Sequence, residues 1–492
     1  MTDRNNKKPG NALDMLRRNS HGDDSLFLRP DFQWGVLLFL IALAIRIAFY
    51  FILCDAQVFA KYTVLAREMA NGADLGQRLL DVSPFYLSLL GALAKIAPRT
   101  LDYLPFIQLV AGALVCLLIY ALGLRLFTRQ VGFAAGLIYA MYGNGMILES
   151  TLEPYVFVLL FNGISIYLLT RAAHGQEASP WLIAGAGIFS GLSVLAKPNF
   201  ILFIIFACVW IHFALRNSKI YNKANLYPLL YIITAMMVIA PVTVRNYVKF
   251  NDFVLVTADY GKVFFHGNAG ATTVFIPQYL PGQDKPPAGE LPVDYAHVVF
   301  RKKASELAGR PLSPSEAARF WTRFTLADFK KHPWKHVQLE GRKLALFFHN
   351  FEIHHIQANH YRYVRSLGYP FVGFGLIASL GLLGMVLCLK QGKRFALLYG
   401  VVGVYLVSGL IFVVNSRYRA PAVPYLCLFA GAVFHYTAAF FVERKNMALA
   451  ASLLALACLL ALTHWTYADQ IKEYMGAVLS MYPDLKTTTS TN

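Results

Sequence analysis

Eleven runs of 17 to 22 residues with almost no charge constrain this chain more than any other feature. They lie at 32–53, 103–124, 131–147, 154–170, 180–196, 198–215, 226–243, 369–389, 395–414, 421–441 and 446–463. About 20 helical residues cross the ~30 Å hydrocarbon layer of a bilayer, and a single soluble core stops growing near ~250–300 residues. Composition agrees, with 57% of the 492 residues apolar and 15% charged against roughly 45–50% and 25% in soluble domains. The expected fold class is therefore an all-α polytopic membrane protein with about eleven transmembrane helices. Intrinsic disorder, collagen-like repeats and a small disulfide scaffold are excluded.

The net charge of +18 would suit nucleic acid if it formed one surface, but the cations are scattered between apolar runs, and no nucleic-acid partner is expected. Arg125 and Arg129, Arg171, Arg216 with Lys219 and Lys223, Lys390 with Lys393 and Arg394, and Arg444 with Lys445 fall on alternate connections. That alternation is the positive-inside pattern. It predicts a cytoplasmic N-terminal tail, 1–31, followed by an uncleaved anchor. The transmembrane module is expected over 32–243, with an outer loop at 54–102; a large outer loop follows at 244–368, then C-terminal spans at 369–463 and an outer tail at 464–492. Residues 83–96 are apolar but short for a span and are expected as an interfacial or re-entrant helix. Val58, Tyr62, Leu65 and Met69 recur at helical spacing with Lys61, Arg67 and Glu68 opposite, the pattern of an amphipathic surface helix. The six cysteines, all but Cys54 inside apolar runs, suggest neither disulfides nor a thiolate zinc site.

Chemistry is sought among polar residues at the outer ends of spans. Asp55 follows the anchor directly; it suits a helix cap or a general base whose pKa is raised by partial desolvation. Glu149 and Glu153 are spaced to share a helix face, and carboxylates near lipid are costly. Lys197 in Ala-Lys-Pro-Asn, Arg245 with Asn246, and Arg417 and Arg419 in Arg-Tyr-Arg-Ala-Pro are either snorkelling cations or a grip on a lipid-linked phosphate. Arg417 and Arg419 are exceptions to the charge alternation, which favours the second reading for that pair. The run His349-Asn350-Phe351-Glu352-Ile353-His354-His355, continuing to His360, invites a divalent ion, yet its spacing matches no metal motif. No P-loop, Rossmann fingerprint or nucleophile elbow is present, so any chemical energy must arrive with the substrate.

Several motifs occur in a telling order. Asp55-x-x-x-Phe-x-x-Tyr-x-x-x-Ala-x-x-Met-x-x-Gly is followed by Ser83-Pro84-Phe85-Tyr86, Leu152-Glu153-Pro154, Ala240-Pro241-x-x-x-Arg245-Asn246, His266-Gly267-Asn268 and Arg417-Tyr418-Arg419-Ala420-Pro421. Over residues 33 to 440 the chain resembles bacterial GT-C glycosyltransferases of the family 39 type, relatives of protein O-mannosyltransferases and lipid A aminoarabinose transferases. The resemblance implies a GT-C fold and an inverting transferase in the bacterial inner membrane. Its site would face the outside, its donor would be a polyprenyl-phosphate-linked sugar, and its acceptor a lipid, glycan or protein.

The resemblance maps the family's first-loop acid onto Asp55 and its second onto Glu153, and points to Arg417 and Arg419 at the donor phosphate. Arg245 and Lys197 are expected beside them, with Glu149, His266, Asn268, Glu352 and His355 as further substrate or metal contacts. No cofactor is specified, and a divalent metal stays open. The chain departs from the family in Asp55-Ala56, where many members have a second acid, and in Ser83-Pro84, where many have Pro-Pro. Alternatives are a flippase of lipid-linked sugars, disfavoured by the lack of repeated halves, and an O-antigen ligase or polymerase.

Overall fold

A computed structural model of the chain describes residues 30–52, 61–174, 179–215, 226–269, 292–353, 371–465 and 471. Asp55, Val58, His354, His355, His360 and most of both termini lie outside the described residues. Within them every element is helical, apart from one isolated parallel bridge between Tyr142 and Val372.

Among the described residues eight helical stretches are long and apolar enough to cross a membrane: Pro30–Phe51, Pro98–Leu126, Tyr155–Ala173, Pro198–Leu215, Leu226–Phe250, Phe374–Ile411, Ser416–Val442 and Asn446–His464. Three features relate these eight stretches to the eleven runs of the sequence. The stretch 374–411 is two helices, Phe374–Cys388 and Gly392–Ile411, which reverse direction at Leu389–Gln391 and bring Arg419 back over the Phe374 ring, 3.8 Å away. Pro180–Ala196 is an apolar helix of 17 residues, just short of the spanning length. The run 131–147 is broken into Arg129–Ala140 and Gly143–Ser150. At the break Tyr142 is extended and the amide of Val372 donates to the carbonyl of Met141 at 3.0 Å, while Gly143 and Gly145 give the helix little reason to continue.

In chain order, α1 is Pro30–Ile52, α2 Lys61–Ala70, α3 Pro84–Ile96, α4 Leu104–Leu126, α5 Arg129–Ala140, α6 Gly143–Ser150, α7 Tyr155–His174, α8 Pro180–Ala196, α9 Ile201–Leu215 and α10 Leu226–Phe250. The long connection then forms α11 (Tyr260–Asn268), α12 (Pro292–Ala308), α13 (Pro314–Lys331) and α14 (Pro333–Phe348). It is followed by α15 (Phe374–Cys388), α16 (Gly392–Ile411), α17 (Ser416–Arg419), α18 (Val423–Val442) and α19 (Asn446–His464). α15 lies along α18, α8 between α7 and α10, and α5 between α4 and α18. Helices in lipid associate by close backbone approach rather than by a hydrophobic effect. α4 and α5 show it: a Cβ on Gly123 would sit 2.2 Å from the Cα of Gly132.

The two ends of the bundle differ. At one end the short basic connections gather, with Arg129 on Asp31 at 2.5 Å, Arg125 donating to the carbonyl of Arg171, and Phe127 stacked on Phe395. The other end carries two helical layers. α2 and α3 bury Tyr62, Leu65, Tyr86, Leu87 and Leu90 in a small core of their own that Leu152 completes. At 13 residues α3 spans only ~20 Å, too short to cross. Lys61, expected on the solvent side of α2, is instead buried beside Tyr62. α11 to α13 enclose a second core around Phe265, Phe300 and Trp321. Backbone and charge tie these layers together: the Ala258 amide donates to the Leu80 carbonyl at 2.9 Å, and Arg301 pairs with Asp81. α10 runs about two turns past its expected end at 243, so Arg245 and Asn246 lie on the helix itself.

Candidate active site

The turn Thr151–Pro154, between α6 and α7, carries Glu153, and a residue without a sequence signal holds it. Gln108, buried on α4, donates to the carbonyls of Glu149 (2.8 Å) and Thr151 (2.7 Å), and its own oxygen accepts from the Tyr86 hydroxyl at 2.6 Å. A buried amide that uses all these bonds fixes a turn tightly, because leaving any of them unmade costs ~1–3 kcal/mol. Ser83 locks the α3 layer to the same place. As N-cap of α3 it accepts from the Tyr86 amide, its hydroxyl donates to the Leu195 carbonyl at 3.1 Å, and its amide donates to the Tyr62 hydroxyl. Proline at 83 could make neither the amide nor the hydroxyl bond, so Ser83 adds contacts that a Pro-Pro pair would lack.

Opposite Glu153 stands Arg417. Asn415 caps the short helix α17 by accepting from the Tyr418 amide, and Ser416 binds the Ile353 carbonyl through both its amide and hydroxyl. This anchoring points Arg417 at Glu153, with Nη1 to Oε1 at 2.9 Å. The Nε of Arg417 is buried and has no hydrogen-bond partner among the described residues. Lys197, at the C-cap of α8, places its ammonium 4.6 Å from the centre of the Tyr418 ring. Arg417 and Lys197 thus stand beside Glu153, and the guanidinium Nε that no described residue engages suits an anionic oxygen. Burial, reinforced by the charge of Arg417, pushes the Lys197 ammonium down to about 7, with Glu153 and Asp259 opposing.

The other expected residues are engaged elsewhere. Glu149 does not share a helix face with Glu153, because α6 ends at Ser150. It pairs with Arg46 on α1 at 2.7 Å, with both side chains wholly buried, and accepts from the Tyr139 hydroxyl. Arg46 was hidden inside an apolar run. Arg419, expected at the phosphate, instead donates to the carbonyls of Leu346, Phe347, His349 and Phe351 and pairs with Glu352 at 2.9 Å. Its guanidinium faces the protein on every side, which stitches α14 to α17. Glu352 also accepts from Tyr142 and Asn144.

Both ring nitrogens of His349 are used, one facing the Trp465 carbonyl and the other the Phe351 amide. His349 and Glu352 therefore do not fit a metal, and among the described residues no three His, Cys, Asp or Glu side chains gather to hold one. Asn268 binds the carbonyls of Phe264 and Ile411 and accepts from Lys343 at 2.6 Å. His266 stands edge-on to Phe300, and Arg245 donates to its neighbour Asn246. Of the expected residues, the structure brings together Glu153, Lys197 and Arg417.

Residues 81–244, a third of the chain and the segment that includes Ser83, Gln108, Glu153 and Lys197, match the family model for dolichyl-phosphate-mannose-protein mannosyltransferase. No curated protein sequence is significantly similar to the chain. Among solved structures the chain is similar to the Archaeoglobus fulgidus oligosaccharyltransferase tethered to an acceptor peptide, with TM-score 0.48 and 14% identity over 90% of this chain and 56% of that one. It is also similar to the oligosaccharyltransferase AglB of the same organism in complex with an inhibitory peptide and a dolichol-phosphate, with TM-score 0.48 and 12% identity over 89% of this chain and 56% of that one. The chain thus spans little more than half the length of these proteins.

For a polyprenyl-phosphate donor the titration of Lys197 gives a direct prediction. A sugar phosphodiester does not change charge near neutrality, so its affinity should follow the charge on Lys197. Donor affinity is expected to weaken as pH rises through about 7, since the cation is lost there. Lys197→Met should bind more weakly at pH 6 and show a flat profile; a wild-type affinity that stays constant from pH 6 to 8.5 would remove Lys197 from the phosphate.

Proposed function

We propose that this chain transfers a sugar from a polyprenyl-phosphate donor to a hydroxyl or amine acceptor at the extracytoplasmic face of a bacterial inner membrane, with inversion. The pairing of Arg417 with Glu153, beside Lys197 and at the end of the bundle away from the basic short connections, carries this reading. The family match over 81–244 supports it. The module 32–243 would supply Asp55, Glu153 and Lys197, the helix α17 Arg417, and the long connection 244–368 their roof.

In this reading Asp55, between the end of α1 and the start of α2, is the general base. The acceptor oxygen or nitrogen attacks the anomeric carbon and its proton passes to the Asp55 carboxylate. The bond from the anomeric carbon to the phosphate oxygen breaks, and its electron pair leaves on polyprenyl phosphate. Positive charge builds on the sugar ring, as in glycoside hydrolysis. Negative charge builds on the phosphate, where Arg417 and Lys197 stabilise it; such preorganised stabilisation is usually the largest single contribution to catalysis. Glu153 orients Arg417. The α2–α3 layer and α11–α13 exclude water, which limits donor hydrolysis.

Asp55→Asn tests the base. At matched expression, transfer is expected to fall by about 10²–10⁴-fold with donor affinity unchanged. Near-wild-type transfer by the Asn variant would end the assignment of Asp55. Product analysis tests the reaction class: free polyprenyl phosphate is expected, whereas intact donor moved across the bilayer, or polyprenyl pyrophosphate, would refute transfer from a monophosphate carrier.

A further inference from the structure

The Lys197 ammonium makes no hydrogen bond and no ion pair among the described residues; it lies over the Tyr418 ring, 4.6 Å from the centre. Arg417 approaches the same ring, with its guanidinium carbon 5.9 Å from the centre. One aromatic ring thus serves two cations. The negative face of such a ring attracts a cation, and the attraction grows as water is removed. Burial and the charge of Arg417 act against a charged Lys197, while Glu153 and Asp259 favour it. The ring is a further partner that favours the cation, and it does so without a charge of its own.

The backbone fixes both partners and leaves only the lysine stem to be placed. The Tyr418 amide donates to the carbonyl of Asn415 at 3.1 Å and to its side-chain oxygen at 3.0 Å. At Lys197 the amide donates to the Ser193 carbonyl at 2.7 Å, and Pro198 keeps the residue extended, with φ −151° and ψ 109°. The lysine side chain is long and flexible, and fixing it on a ligand costs rotamer entropy. A ring that already seats the ammonium removes much of that cost. The Tyr418 hydroxyl has no hydrogen-bond partner among the described residues, so contact of that oxygen with substrate is the competing role.

We propose that Tyr418 is a positioning residue: its ring seats the Lys197 ammonium, keeps it charged beside Arg417 and presents its N–H groups to the phosphate of the sugar donor. The inference rests on the proposed lipid-phosphate donor and adds what holds its second cation. Competitive acetylation of the purified full chain, without any lipid donor, is read on the Lys197 peptide by mass spectrometry and gives the pH midpoint at which that amine loses its proton. Tyr418→Phe keeps the ring and should leave the midpoint unchanged. A trifluorinated phenylalanine in place of Tyr418 has nearly the same shape but an electron-poor ring face, and Tyr418→Leu has no ring. Both should lower the midpoint, the leucine variant by about 0.5–1.5 pH units, because a partner of the charged form is lost. Affinity for bare polyprenyl phosphate at a pH of about 7 should follow the same order, within twofold of wild type for Tyr418→Phe and at least threefold weaker for the other two. The fluorinated ring carries the test where the leucine variant fails to accumulate. A midpoint common to all the proteins would overturn the seat. So would a Tyr418→Phe protein as impaired in phosphate binding as Tyr418→Leu, because it would make the hydroxyl the working group. Midpoints that shift as expected with phosphate affinity unchanged throughout would uphold the seat and refute the phosphate site beside it.

Discussion

Replacing Arg417 by alanine is expected to lower the rate of sugar transfer by about 10²–10³-fold, or about 2.7–4 kcal/mol in the barrier. Two effects combine. In the proposed reaction the leaving phosphate would lose a forked donor, whose Nε has no partner among the described residues. Glu153, 2% exposed, is left beside the phosphate without its 2.9 Å partner and repels it. Arg417→Lys separates the two effects: it keeps the charge opposite Glu153 but lacks the planar fork, and should recover only part of the rate. Steady-state transfer in detergent with a polyprenyl-phosphate sugar measures both variants. A rate for Arg417→Ala within twofold of wild type, at equal expression, would place the phosphate elsewhere.

The second large effect concerns folding rather than chemistry. Arg46 and Glu149 are wholly buried, and the room for their contact comes from Gly112, where a Cβ would meet the Glu149 carboxylate at 2.2 Å. Glu149→Gln leaves the guanidinium without its counter-ion in the interior of the bundle, so a loss of about 3–5 kcal/mol is expected. The readout is a fall in the thermal midpoint of the detergent-solubilised protein together with poor accumulation in the membrane. The double variant Arg46→Met with Glu149→Leu removes both charges and should recover most of the stability, since a buried pair is often replaceable by apolar residues of similar volume. A Glu149→Gln protein as stable as wild type would show that the pair carries no structural weight.

These variants also separate two kinds of buried acid that look alike along the chain. Glu149 and Glu153 are four residues apart and both sit at the end of an apolar run. Their roles diverge because α6 ends between them: one turns back into the bundle toward Arg46, and the other is carried by the Thr151–Pro154 turn toward Arg417. Arg417 and Arg419 diverge the same way on α17. Two residues apart, they lie on different sides of a single helical turn, one toward Glu153 and the other into the carbonyls at the end of α14. Spacing alone cannot rank such neighbours, because a residue's partner is chosen by distant segments.

The runs of apolar residues and the alternation of cations between them were enough to establish a helical membrane protein whose polar chemistry collects at one end, since both follow from the cost of charge in hydrocarbon. The motif order pointed to Glu153, Arg417 and Arg419, and the cations at the outer ends of spans added Lys197 and Arg245, without saying which of them meet. Folding in three dimensions settled what local pattern leaves open: that Gln108 and Ser83 hold the site, that Arg46 is the counter-ion of Glu149, and that Arg419, Glu352 and Asn268 brace the roof. Those choices depend on contacts between residues separated by up to hundreds of positions, and a buried polar group is defined by the partner it meets rather than by its neighbours in sequence.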